Sequence, residues 1–130
     1  MDKGTLVEKQ IEDGRLLIDR LRAEGVSVTA AAWIKESESG WWYLYLATPL
    51  VGPGGAKTPA YRRVNAVLRE MAEPLWVEPL DIKVVGPDSP VGKALHELQQ
   101  RYPGRYGGPT LGGLGIEGAY IYPATPAPVS

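Results

Sequence analysis

Residues 26–48 read VSVTAAAWIKESESGWWYLYLAT, two alternating arms about a polar turn. In the first arm Val26, Val28, Ala30, Ala32 and Ile34 alternate with Ser27, Thr29, Ala31, Trp33 and Lys35, which is the period of a strand. Residues 36–40 supply a turn. The second arm alternates Trp41, Tyr43, Tyr45 and Ala47 with Trp42, Leu44, Leu46 and Thr48, aromatic and aliphatic residues that suit a pleated surface. With all five turn residues unpaired, Lys35 faces Trp41, Trp33 faces Tyr43 and Ala31 faces Tyr45, while Ile34, Ala32 and Ala30 face Trp42, Leu44 and Leu46. That register separates an aliphatic core face from a stripe of rings edged by Thr29 and Lys35, and it is the one expected. A four-residue loop would slip every side chain to the opposite face and mix the two sets.

Before the hairpin, Thr5 and Glu8 make a capping-box pattern ahead of a helical stripe of Leu6/Val7, Ile11, Leu17/Ile18 and Leu21, with Gly25 as its stop. A helix is expected over residues 6–24. Gly14 costs it about 1 kcal/mol relative to Ala, which implies a kink or a close neighbour there. After the hairpin, residues 49–57 have the glycine and proline content of a connection. Thr58-Pro59 then opens a second helix running to residue 72, with Ala60, Val64, Val67/Leu68 and Met71 on its stripe. Residues 80–85 alternate as a third strand. Asp88 or Ser89 caps a third helix from Pro90 to Tyr102, residues 104–115 form a glycine-rich loop, and residues 116–122 make a last strand.

The order α-β-β-α-β-α-β gives an α+β two-layer sandwich: a mixed four-stranded sheet with the helices mainly on one face. Residues 1–122 read as a single globular domain and 123–130 as a disordered Pro-rich tail. With 130 residues, net charge −1, 44% hydrophobic and 22% charged residues, the chain has no global field to attract nucleic acid or an anionic membrane. Cysteine is absent, so disulfides, thiolate metal sites and cysteine nucleophiles are excluded, and a cytoplasmic location is expected. Met1-Asp2-Lys3-Gly4 lacks the basic start and apolar run of a signal peptide, and no apolar stretch suffices to span a bilayer.

A helical layer on one side leaves the other sheet face uncovered, and the expected register puts Trp33, Trp41, Tyr43 and Tyr45 on it. Burial under a helix or the glycine-rich loop is the structural alternative. The functional ones are homodimerisation through the patch and stacking of unpaired bases. Base stacking would need positive charge from Lys35, Arg62, Arg63, Arg101 and Arg105, a thin supply. Residues 86–94, GPDSPVGKA, sit where a phosphate-binding loop would. Their glycine spacing is one residue too long, two prolines remove N–H groups, and Ala94 replaces the hydroxyl, so a helix cap is the better reading. Gly113-Leu114-Gly115-Ile116-Glu117-Gly118 has the letters of a dinucleotide fingerprint but too little chain after it for the helix that motif requires. A glycine-rich loop entering the last strand is the expected meaning, and its functional alternative is an adaptable ligand loop bracketed by Arg105, Tyr106 and Tyr120. His96 reads as a surface residue, the Glu36/Glu38 and Glu70/Glu73/Glu78 sets as solvated charges, and Arg62-Arg63 as an exposed face able to meet a carboxylate or phosphate.

The expected function is therefore a non-enzymatic cytoplasmic binding or interaction module, homodimerising through its aromatic face, with Trp33, Lys35, Trp41, Tyr43, Tyr45, Arg62, Arg63, Arg105 and Tyr106 as partner- or ligand-binding residues. The alternatives are a single-stranded nucleic-acid or small-ligand binder on the same platform, and an enzyme without a recognisable motif. No catalytic residue, metal or cofactor is implied. A protein partner is compatible with the sequence; nucleic acid and membrane are not favoured.

Overall fold

A computed structural model describes residues 8–71 and 76–123. Their elements are α1 (Glu8–Ala23), β1 (Ala30–Glu36), β2 (Trp42–Ala47), α2 (Thr58–Glu70), β3 (Ile82–Val85), α3 (Pro90–Arg101), β4 (Gly104–Tyr106), β5 (Thr110–Leu111) and β6 (Leu114–Ile121). Helices and a mixed sheet make the protein α+β. The sheet has the order β3-β2-β1-β6-β4, with β5 paired to β6, so it is six-stranded rather than four-stranded. The extra strands are pieces of three and two residues inside the expected glycine-rich loop. The capping box at Thr5 and most of the expected tail lie outside the described residues.

The hairpin adopts the other register. Ala32 pairs with Tyr45, Trp33 with Leu44, Ile34 with Tyr43 and Lys35 with Trp42. The Glu36 N–H donates to the Trp41 carbonyl at 3.1 Å and the Gly40 N–H to the Glu36 carbonyl at 2.8 Å, which leaves a four-residue loop. Gly40 closes it at φ 71°, a left-handed conformation open to glycine without steric cost. Trp33 therefore lies with Trp42, Leu44 and Leu46, whereas Tyr43 and Tyr45 lie with Ala32 and Ile34. The reason is that both faces are covered. α1 and α2 pack on the face of Ala31, Trp33, Leu44, Leu46 and Val84. α3 packs on the opposite face through Leu95, against Ala30, Ala32, Ile34 and Ala47. Two of the three helices share one side, as expected, and the third adds a layer on the other. When both faces are buried, the polar–apolar contrast that would fix a solvent side disappears.

Small residues decide how closely α3 approaches: Ala30, Ala32, Ala47 and Ala119 make its bed. On the other side Gly14 brings α1 onto the sheet, because a Cβ there would lie 2.3 Å from the Tyr122 hydroxyl oxygen and 2.9 Å from Trp33 Nε1. Close packing, not a kink, accounts for this glycine. The Trp33 indole N–H donates to the Tyr122 hydroxyl at 3.0 Å, and that hydroxyl donates to the Ile11 carbonyl at 2.6 Å, so the buried polar tips are satisfied. At the β3 edge the Val84 N–H donates to the Tyr61 hydroxyl of α2 at 3.3 Å, which occupies a donor that another strand could otherwise use.

Candidate functional site

Strands β2 and β3 are parallel neighbours, with Leu44 opposite Ile82 and Ala47 opposite Val85. The chain leaves β2 to form α2 on one face of the sheet and leaves β3 to form α3 on the other. Where adjacent parallel strands send their connections to opposite faces, the two loops part and leave a crevice beyond the carboxyl ends of the strands. A cleft of about 520 Å³ lies there, lined by Val51, Gly52, Gly55 and Lys57 after β2 and by residues 85–89 from the end of β3 onward. That volume is within the range of small-molecule sites.

The walls are held from within. The Gly52 N–H donates to the Ala56 carbonyl at 2.8 Å and the Gly55 N–H to the Gly52 carbonyl at 3.1 Å, with Gly55 at φ 81°. The Ser89 hydroxyl donates to the Gly86 carbonyl at 2.6 Å and accepts from the Gly92 N–H at 3.0 Å, capping α3 as expected. Gly92 presses on the same carbonyl: a Cβ on it would lie 2.1 Å from the Gly86 oxygen. Lys57 is the residue before α2 and makes no side-chain cap. Among the described residues the Lys57 ammonium and the Asp88 carboxylate have no polar partner, and both are exposed. The cleft thus offers apolar wall from Val51, Val85 and Pro87, and one charge of each sign from opposite loops.

A second cluster lies on the α3 face of the sheet. The Glu36 carboxylate accepts from the Tyr45 hydroxyl and, at 2.6 Å, from Lys83 Nζ. That ammonium sits 4.2 Å from the centre of the Tyr43 ring, a cation–π contact. Burial first, and then the Glu36 carboxylate beside it, push the Tyr45 phenol far above its ordinary value; burial does the same to Tyr122. Both phenols are protonated in the fold while the unfolded chain loses these protons near pH 10, so this stability is whole below about pH 10 and lost as pH rises further. Thermal midpoints are expected to fall steeply above that pH, each phenol contributing about 1.4 kcal/mol per unit, and Tyr45→Phe is expected to flatten the fall. A midpoint unchanged to about pH 12 would contradict the assignment.

The residues expected to form one binding face are dispersed. Trp33 is fully buried under α1 and α2, Tyr45 is 5% exposed in the α3 core, Tyr43 packs beside Lys83, and only Trp41, at 47%, stands on the surface. Lys35 is half-buried and shares the Trp33 face. The aromatic platform is thereby corrected: no face of the sheet presents these rings together to a second copy or to bases. Arg62 is exposed on α2, and Arg63 donates to the Glu24 carbonyl at 2.7 Å. Arg105 is exposed on β4 beside a groove of about 460 Å³ that also includes Arg15, Glu12 and Tyr120. Tyr106 lies on the α3 side, its hydroxyl donating to the Thr110 carbonyl at 3.3 Å. The letters of the dinucleotide fingerprint run from the turn residue Gly113 into β6, a strand.

Sequence reasoning passed over Lys57, reading its segment as a connection, and assigned residues 86–89 to a cap alone. The available signal was the strand–helix–strand order from β2 to β3, which implies parallel pairing and a crevice at its end. Among the described residues no group of three His, Asp or Glu is placed to hold a metal ion, and no helix is long and apolar enough to cross a membrane. No family model, curated protein or solved structure matches the chain.

Proposed function

We propose that the protein is a non-enzymatic cytoplasmic binding module that holds a small ligand in the cleft between the loops following β2 and β3. The observation that carries this reading is the position of the cleft where α2 and α3 diverge to opposite faces. The lining supports it: apolar side chains for the ligand body, few polar groups to orient it, and loops tied by their own hydrogen bonds. The absence of cysteine supports the cytoplasmic location.

Gly86 provides a selective test. It lies outside the left-handed region, and a Cβ on it would make an ordinary 3.8 Å contact with Val51 Cγ1, so Gly86→Leu fills the cleft without backbone strain. In the wild-type protein, amide shifts induced by a small-molecule fragment library are expected to concentrate at residues 51–57 and 85–89. Gly86→Leu, folded by circular dichroism, is expected to lose them. Shifts that persist in folded Gly86→Leu, or that map elsewhere, would defeat the proposal.

A further inference from the structure

We infer that the cleft recognises a small zwitterion with an apolar body, the chemical class of an apolar α-amino acid; the inference rests on the cleft reading above. Three polar side chains line the cleft, those of Lys57, Asp88 and Ser89. Ser89 spends its hydroxyl on Gly86 and Gly92, and the Gly52 and Gly55 N–H groups are engaged inside their own turn. Pro87 has no N–H to offer. Of the polar side chains Lys57 and Asp88 remain, one from each loop, of opposite charge. The two side chains form no ion pair with each other, and neither side chain has another polar partner among the described residues.

An anion at Lys57 would have the Asp88 carboxylate within the same cleft as a repulsive neighbour, and a cation at Asp88 would face Lys57 in the same way. A ligand carrying both charges satisfies each loop at once. A carboxylate accepts from the Lys57 ammonium, and an ammonium donates to the Asp88 carboxylate, as charge-assisted hydrogen bonds. Between them Val51, Val85 and Pro87 present apolar surface, which suits an aliphatic side chain and gives no partner to a polar one. The pattern selects by exclusion as much as by attraction.

Leucine is the probe, with leucinamide lacking the carboxylate and N-acetyl-leucine lacking the ammonium. Titration followed by amide shifts at residues 51–57 and 85–89 is expected to show leucine binding about tenfold more tightly than either, the size of one lost charged hydrogen bond. Lys57→Met removes no cap and Asp88→Asn is an exposed isosteric change, so both variants are expected to fold. Lys57→Met should abolish the preference for leucine over leucinamide alone, and Asp88→Asn the preference over N-acetyl-leucine alone. Equal binding of all three compounds, or variants that lower all three affinities in parallel, would overturn the inference. Library fragments that bind the cleft when leucine does not would overturn it too, while leaving the cleft as the ligand site. Failure of every compound to shift these residues would remove both readings.

Discussion

Replacing Trp33 by alanine is expected to lower the unfolding free energy by about 3–5 kcal/mol, the range for emptying a large aromatic site in a packed core. Trp33 is fully buried, and its indole N–H is the donor that fixes the Tyr122 hydroxyl beneath α1. Its removal leaves a cavity and frees one end of that network. Trp41→Ala, a change at a half-exposed hairpin residue, is expected to stay within about 0.5 kcal/mol. Urea titrations of the two variants measure the contrast. Two small, similar losses would mean that both rings share a surface and that the hairpin register is the segregated one.

Gly92→Ala is the second severe change, expected to cost about 3 kcal/mol although alanine is the better helix former. The new Cβ would lie 2.1 Å from the Gly86 carbonyl oxygen and 3.0 Å from Ser89 Oγ. A backbone carbonyl cannot swing aside as a side-chain end can, so the start of α3 must lift from β3 and the Ser89 cap is strained with it. Gly86 also lines the cleft. Thermal unfolding should therefore show a lowered midpoint, and a stabilised Gly92→Ala protein would show that α3 does not seat on Gly86. Gly14→Ala is expected to destabilise as well, since its Cβ would meet the buried, hydrogen-bonded rings of Tyr122 and Trp33.

Much of the fold is legible along the chain because the signals are local. The Gly25 stop, the Ser89 cap, the hairpin arms and the third strand all rest on residues within a few positions of one another. The register was not, because β1 and β2 are apolar on both sides and the choice depends on Gly40 adopting a left-handed conformation. Helical stripes announce that α1, α2 and α3 pack, but not on which face; α3 chooses its side through the alanines beneath it, which come from three separate strands. The cleft is less legible still. Its walls are residues 51–57 and 85–89, brought together only by the parallel pairing of β2 with β3, so neither loop carries the meaning alone.

Diffraction from crystals soaked with amino-acid-sized apolar fragments would locate the ligand site. Ordered fragment density is predicted between Val51 and Pro87, within reach of Lys57 and Asp88. Fragments that settle reproducibly in the groove beside Arg15, Arg105 and Tyr120, with the cleft beyond β2 and β3 left empty, would contradict it.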